Sequence, residues 1–368
     1  MIDFELDEEQ QLIRDTVVSF AHQEIRPHAR AADESGVVPA TLIQRGWELG
    51  LVQSIIPEEY GGFGSQHSAV TGAVIAEELA HADLAIAMHL LAPRLVTVPV
   101  LELGSPDLKR SVLPRFCGPT FEAGSAAVME PRMDFDLLAP ATMLAREGDD
   151  YVLTGQKCYV PLGADARHLV VLASIANGDR GGPHPQAILV ERDTPGLDVG
   201  AREKNMGLKA LATHGVRFDA CRVPRENLLG TGPAVARLAD LWRVALSDMA
   251  VGVARAAYDY AREYAKERRA FGKPIAGKQA IAFMLAEMAM EVDAMRLLTW
   301  EAAWKLDRGE DATREACLAK RYTAETALRI TDHAVQVLGG HGYIRDHLVE
   351  LFLRNARGFA ALDGLATA

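Results

Sequence analysis

Apolar and polar positions follow a helical rhythm over the first third of the chain. From about residue 7 to residue 114 the spacing of apolar side chains is typical of amphipathic helices. Asp7 and Gln10 have the spacing of a capping box, which predicts a helix start at this point. The Gly-rich stretch IPEEYGGFG, residues 56–64, interrupts the rhythm before it resumes. The first segment is therefore predicted to be all α-helical.

The rhythm changes between about residues 121 and 233. The short apolar runs HLVVLA, AILVE and GVRFDA are bounded by Gly, Pro and Asp, which predicts strands joined by turns. The stretch NGDRGGPHPQ, residues 177–186, has the composition of a surface loop. This middle segment is expected to be rich in β-structure.

After residue 233 the pattern is helical again. One apolar stripe has the i, i+3, i+4, i+7 spacing of a helix that is buried on one side. Its members are Ile281, Met284, Leu285, Met288, Val292 and Met295. The three segments predict an α+β fold with an N-terminal all-α domain (1–120), a central β domain (121–233) and a C-terminal helical bundle (234–368).

Composition and charge narrow the classes of function. Hydrophobic residues make up 49% of the 368 positions and charged residues 24%, as in soluble globular proteins. The formal net charge is −11 and no Lys/Arg run forms a basic patch, which argues against nucleic acid or an anionic membrane as a partner. We expect no membrane span and no signal peptide. The four cysteines are far apart, so no metal site is expected, and a cytoplasmic location fits.

Several spaced motifs in the last third of the chain are far more specific. YAKERRAFGKPIAGKQAIAFMLAEMAMEV, DHAVQVLGGHGY and VELFLRNAR resemble the acyl-CoA dehydrogenase superfamily. IPEEYGG, GQKCYVPLGAD and LWRVALSDMAVGVA extend the resemblance over essentially the whole chain. The resemblance implies an acyl-CoA dehydrogenase-like fold, in which a helical domain, a β domain and a four-helix bundle follow one another.

The resemblance also implies a reaction. Family members use FAD to oxidise an acyl-CoA or acyl-carrier thioester across its α and β carbons. A carboxylate removes the α proton while the β hydrogen leaves as hydride to the flavin. Burial raises the basicity of such a carboxylate, and hydrogen-bond donors at the thioester oxygen stabilise the enolate. Members are usually homotetramers with each FAD across a subunit interface, and an electron-transfer flavoprotein is the expected electron acceptor.

The residues that a family subunit offers to its neighbour's FAD, here called the neighbour face, are present. Arg268 and Phe271 match the family's Arg and aromatic residue near the pyrophosphate. Gln336, Gly339 and Gly340 match the Gln-x-x-Gly-Gly turn near the adenine. A guanidinium suits a diphosphate, and glycines allow close approach of backbone to a ligand. Packing within the helical bundle is the alternative role for these residues.

The residues that a subunit offers to its own flavin, here called the own-flavin face, have changed. The family's TEPGAGSD is MEPRMDFD, so Met129 replaces the Thr at the flavin edge and Phe135 a phosphate-side Ser. The family's WITN is YVPL, where Tyr159 still offers a ring for stacking but Pro161 lacks a hydroxyl. Leu365 replaces a Thr, and the sequence ends where the resemblance leads us to expect a further helix. Four or five lost hydrogen bonds of ~1 kcal/mol each weaken FAD binding by about three to four decades.

Three further residues are candidates for the reaction. Asp363 falls where many members carry the catalytic Glu, and nitroalkane oxidases of this superfamily use Asp there. The alternative is a solvated Asp near a frayed terminus. Arg243 is expected to steady the base loop or to cap a helix. Arg94 falls near the family's acyl pocket, where it either holds an anionic acyl group or blocks the pocket.

Three hypotheses about function follow. The leading one is an FAD-dependent acyl-CoA dehydrogenase-type oxidoreductase with Asp363 as the base. The second is a flavin-poor, non-catalytic subunit of a heteromeric acyl-CoA dehydrogenase, because only the own-flavin face has changed. The third is a redox-neutral thioester enzyme on the same fold.

Overall fold

The computed structural model of the chain describes residues 5–64, 67–175, 184–359 and 362–367. Helices joined by short turns come before the first strand. They are α1 (Glu8–Phe20), α2 (Ala29–Ser35), α3 (Ala40–Glu48), α4 (Ala69–Ala82), α5 (Leu84–Leu91), α6 (Arg94–Leu103) and α7 (Pro106–Val112). The Asp7 side chain accepts a hydrogen bond from the Gln10 amide, and the Gln10 side chain bonds the Asp7 amide. The predicted capping box is confirmed.

A mixed sheet forms the middle layer. Its strands are β1 (Gly124–Ala127), β2 (Met143–Glu147), β3 (Asp150–Pro161), β4 (His168–Ile175), β5 (His184–Glu191), β6 (Leu197–Arg202), β7 (Thr213–Pro224) and β8 (Leu228–Thr231). Within the described residues the order is β6-β7-β3-β2-β4-β5-β8, and β1 pairs in parallel with β4. The three predicted runs correspond to β4, β5 and β7, so these strands are confirmed.

The surface loop predicted for residues 177–186 is wrong at its C-terminal end. Residues 184–186 belong to β5, because the antiparallel pairing with β4 continues to the pair His184 and Ile175. Their polar and Pro-rich composition suggested a turn, but hydrogen bonding across the hairpin decides their conformation. The rest of the prediction, residues 177–183, lies outside the described residues.

The third layer is a bundle of long helices. They are α8 (Pro233–Glu267), α9 (Gln279–Asp307), α10 (Thr313–Leu338) and α12 (Val349–Phe359), with a short α11 (Gly340–Tyr343) before the last. Two short strands, β9 (Arg269–Ala270) and β10 (Lys273–Pro274), form a hairpin between α8 and α9. Leu285, Met288, Val292 and Met295 are buried on α9, which confirms the predicted stripe. The predicted α+β fold with a C-terminal four-helix bundle is confirmed.

The layers share one large apolar cluster. It joins the N-terminal helices, the bundle and one face of the sheet, while a second cluster covers the other face. In β1 and the residue after it, Ala126 and Val128 enter the first cluster and Ala127 the second, as the alternation of a strand requires. The end of β1 is therefore buried between the sheet and the helices.

No single helix among the described residues is both long and apolar enough to cross a membrane. Leu84–Leu91 and Arg94–Leu103 reach that length and composition only together, across a bend of 46°.

Candidate active site

Residues 362–367 lie against the end of β1. Gly364 has a φ of +72°. A Cβ at Gly364 would stand 2.3 Å from Cγ2 of Val128, which directly follows the strand. Leu365 and Ala366 are buried in the main apolar cluster. A glycine is therefore required for this close approach, and the segment places Asp363 beside the end of β1.

The Asp363 carboxylate forms an ion pair with Lys320 of α10. The Lys320 Nζ lies 3.1 Å from Oδ1 of Asp363 and donates to the Leu362 carbonyl at 2.6 Å. The Asp363 side chain is 29% exposed and the Lys320 side chain 13%. Burial lowers the pKa of Lys320, and the nearby Asp363 opposes this shift. The ion pair with Lys320 does not fit the alternative of a solvated Asp363 at a frayed terminus. The role of Asp363 as a base stays a prediction.

Arg243 makes its ion pair within its own helix. Its Nη1 lies 2.9 Å from Oδ1 of Asp240, whose Oδ2 accepts a hydrogen bond from the Thr313 hydroxyl at 2.7 Å. Burial raises the pKa of Asp240, and Thr313 and Arg243 oppose the rise. No described hydrogen bond joins Arg243 to residues 362–367, but its charge acts on Lys320. Asp240 thus ties α8 to α10 and also holds Arg243, whose role toward the base loop stays a prediction.

A buried lysine supports the backbone beneath this site. Lys157 donates to the Val128 carbonyl at 3.0 Å and to Oε1 of Glu130 at 2.9 Å. Glu130 also accepts the backbone amides of Ala141 and Thr142, each at 2.8 Å. Burial lowers the pKa of Lys157 to about 8, although Glu130 opposes this. Both Val128 and the start of the 129–136 loop are therefore fixed.

The structure brings the 129–136 loop and β3, which carry the predicted own-flavin residues, into contact. The Cys158 amide donates to the Met129 carbonyl at 3.0 Å, which places Tyr159 near the 129–136 loop. Tyr159 has a φ of 52° and is 37% exposed. Phe135 is half-buried and packs on the main apolar cluster. Tyr159 offers a ring for stacking, but the side chains of Met129, Phe135 and Pro161 offer a flavin no hydrogen bond.

The neighbour face lies on the helical bundle and is exposed. Its members are Arg268, Phe271, Gln336, Gly339 and Gly340. The Tyr264 hydroxyl lies 2.8 Å from Nδ1 of His341, which joins the end of α8 to the turn that contains the two glycines. The Arg268 amide donates to the Tyr264 carbonyl at 2.8 Å, so Arg268 lies at the same corner. The structure thus brings both predicted groups to one corner of the bundle.

The residues at this corner are open to solvent. A Cβ added at Gly339 or Gly340 would meet nothing within 4 Å. Phe271 is 95% exposed with a φ of 53°, and the Lys278 Nζ lies 5.2 Å from its ring centroid. Packing inside the bundle does not account for residues that are all exposed. The Arg268 guanidinium and the open glycine backbone fit a diphosphate and its nucleotide, so this face fits FAD.

Arg94 is buried at the start of α6. Its Nε and Nη2 donate to the Leu51 carbonyl at 3.1 Å and 2.8 Å. Burial lowers the pKa of Arg94 to about 10, which leaves the side chain charged at neutral pH. No carboxylate in the described part of the chain lies within ion-pair distance of it. The Leu51 contact is thus structural, and contact with a substrate stays a prediction.

Comparisons with known proteins agree along the whole chain. Residues 7–118 match the N-terminal domain of acyl-CoA dehydrogenase, residues 125–221 its middle domain and residues 231–366 its C-terminal domain. Cyclohex-1-ene-1-carbonyl-CoA dehydrogenase from Geobacter metallireducens is 38% identical over 357 residues, which cover 96% of this chain and 93% of that protein. A probable acyl-CoA dehydrogenase from Bacillus subtilis, YngJ, is 36% identical over 97% of this chain and 94% of its own.

A solved structure gives the same result. Butyryl-CoA dehydrogenase from Megasphaera elsdenii superposes with a TM-score of 0.89 at 30% identity, over 100% of this chain and 96% of that one. The resemblance inferred from the sequence is therefore confirmed. All three domains of the family match this chain in the same order, and the relatives have a similar length. The chain therefore belongs to the acyl-CoA dehydrogenase family.

Proposed function

We propose that this protein is an FAD-dependent acyl-CoA dehydrogenase that oxidises an acyl-CoA thioester, with Asp363 as the base. The observation that carries the proposal is the Asp363 carboxylate, held beside the end of β1 and close to the own-flavin face. The family membership and the acyl-CoA substrates in the relatives' names support the same reaction.

Asp363 accepts the α proton of the thioester in this mechanism. The α C–H bond breaks, its electron pair forms the α,β double bond, and the β hydrogen departs with its own electron pair. When bound, FAD supplies the acceptor for that hydride. Leu365 and Ala366, which follow Asp363 closely in the chain, are buried, while the Asp363 side chain itself is 29% exposed.

Two subunits contribute to each cofactor site in this proposal. Arg268, Gln336 and the Gly339–Gly340 backbone would hold the diphosphate and adenine end of a neighbour's FAD. Tyr159 would offer its ring to the subunit's own flavin, to which Met129 and Pro161 would offer only apolar contact. We therefore expect an oligomer, with a homotetramer as the family suggests, and an electron-transfer flavoprotein as acceptor.

Anaerobic mixing of the FAD-loaded protein with acyl-CoA esters tests the proposal. We expect the visible flavin band to bleach with at least one of butyryl-CoA, glutaryl-CoA and cyclohex-1-ene-1-carbonyl-CoA. The thioether analogue of the active ester is the control, because without the carbonyl its α proton is not acidic. A flavin-loaded protein that no ester reduces would contradict dehydrogenase activity.

One observation favours a second candidate function. The neighbour face is exposed and complete, whereas Met129 and Pro161 have lost the polar side chains of the own-flavin face. A chain with this asymmetry is suited to complete the FAD site of a different, catalytically intact subunit. This candidate predicts little FAD in the purified chain alone.

A further inference from the structure

We propose that Lys320 is a positioning residue for the reaction: it holds Asp363 and the backbone before it at the end of β1. The catalytic part of this inference rests on the proposed function. The anchoring part concerns the folded chain alone and is testable without cofactor or substrate.

Lys320 contacts two consecutive residues in two different ways. Its Nζ donates to the Leu362 carbonyl at 2.6 Å and to the Asp363 carboxylate at 3.1 Å. One acceptor belongs to the backbone and the other to the side chain, so the ammonium fixes the position of the segment and the direction of the carboxylate together. Hydrogen bonds between charged groups are stronger than neutral ones, which suits this role.

The segment has little else to orient it. Both hydrogen bonds that the structure describes for residues 362–367 come from the Lys320 ammonium. The hydroxyl of Thr367 is buried and has no hydrogen-bond partner among the described residues. Leu365 and Ala366 contribute apolar contacts, which are not directional. Burial of these side chains therefore holds the segment on the protein, but Lys320 sets where the Asp363 oxygens lie.

The support behind Lys320 is rigid. The side chain leaves α10, which packs against α8, α9 and α12 in the bundle. Two charged pairs flank it: Arg243 with Asp240 on α8, and Lys157 with Glu130 under Val128. The charge of Arg243 also acts on Lys320, and the Lys320 ammonium is the cation whose contact with the Asp363 carboxylate the structure describes.

Lys320→Met tests the proposal, because it keeps most of the side-chain volume and removes the ammonium. Lys320→Arg restores the charge and two or more donors. The matched control is Lys305→Met, which removes the 2.9 Å ion pair of Lys305 with Glu315 in the same bundle. Two measurements are made on the full chain.

The first measurement is chymotryptic cleavage after Leu362 or Leu365, followed by intact mass. Both leucines are buried in the folded chain. We expect Lys320→Met to be cleaved there about tenfold faster or more, since cleavage requires the segment to open. Lys305→Met and Lys320→Arg should stay within about twofold of the natural chain.

The second measurement is deuterium exchange at the α carbon of a bound acyl-CoA in heavy water, with no electron acceptor present. We expect about a hundredfold slower exchange in Lys320→Met, because a displacement of ~1 Å at the base has that effect. Lys320→Arg should exchange the α proton at a large part of the natural chain's rate. The control Lys305→Met should exchange it at nearly the full rate.

Two results would overturn the inference. One is unchanged cleavage in Lys320→Met, which would mean that Lys320 does not hold the segment. The other is faster cleavage with unchanged α-carbon exchange, which would make Lys320 a structural anchor only. If the natural chain exchanges no α proton with any thioester, the proposed function fails, and the cleavage rates still decide the anchoring.

Discussion

Asp363 differs from the Glu of many family members by one methylene, and its position depends on contacts made by its neighbours. Gly364 permits the approach to Val128, while Lys320 binds the carboxylate directly. Both contacts bear on where the Asp363 oxygens lie. This arrangement gives a direct expectation for substitutions at the base.

Asp363→Asn is expected to slow flavin reduction by an acyl-CoA at least ~100-fold, because the amide has the same size but accepts no proton. Stopped-flow absorbance of the FAD-loaded protein measures this rate. Asp363→Glu should also be slow, since it moves the oxygens by about one bond length.

Asp107→Asn, an exposed substitution on α7, serves as the control and should leave the rate unchanged. If Asp363→Asn reduces its flavin as fast as the natural chain, Asp363 is not the base.

Single residues were predictable from the sequence only in part. The family motif pointed to Asp363, but Lys320 stands 43 residues earlier and no spacing rule links the two. For Arg94 the family position suggested a place near the acyl pocket, but the contact of two of its donors with the Leu51 carbonyl had no signal in the sequence. Contacts between distant positions depend on tertiary packing, which local patterns do not contain.

At the scale of one element, α8 contains an unusual buried carboxyl. Asp248 lies in the middle of this helix with no exposed surface, and neither of its oxygens has a hydrogen-bond partner among the described residues. Burial raises the pKa of Asp248 well above its ordinary value, Glu77 adds to the rise and Arg296 opposes it. The folded chain therefore binds a proton at Asp248 that the unfolded chain releases at lower pH.

Asp248→Ala is expected to raise the free energy of unfolding by about 1–3 kcal/mol at neutral pH, since an unpartnered buried polar group is removed. Alanine also has the higher helix propensity. Because the pKa of Asp248 is raised in the folded chain, the free energy of unfolding falls as the pH rises above about 4, the pKa of an Asp in the unfolded chain. The variant should lack this pH dependence.

Urea unfolding of both proteins at pH 5 and pH 8 measures the two effects, with Asp107→Ala as an exposed control. A variant that is less stable than the natural chain at both pH values would show that Asp248 has a favourable partner.

Elements were more predictable than residues. Local patterns gave the capping box of α1, the stripe on α9 and the strands β4, β5 and β7. The misassigned residues 184–186 show the limit, because strand pairing with β4 overrides a turn-like composition. The order of strands in the sheet follows from contacts across the whole domain and was not predictable from local patterns.

The two faces of the proposed cofactor site lie on different layers of the molecule. The own-flavin face belongs to β3 and the loop before β2, and the neighbour face belongs to one corner of the bundle. A complete site in the proposed assembly therefore needs two chains, which is why cofactor content and assembly are linked. An oligomer of identical chains is expected to bind one FAD per chain. In a hetero-oligomer, the flavin is expected at the site of the other, catalytically intact subunit.

The visible absorption spectrum of the purified chain, recorded alone and after incubation with FAD and gel filtration, tests the central claim most directly. If the protein is an FAD-dependent dehydrogenase built from identical chains, we expect close to one flavin per chain. The flavin should elute together with the oligomer. A protein that stays colourless after incubation would contradict this account. It would instead support a flavin-poor subunit, in which Met129 and Pro161 do not provide the hydrogen bonds needed to hold a flavin.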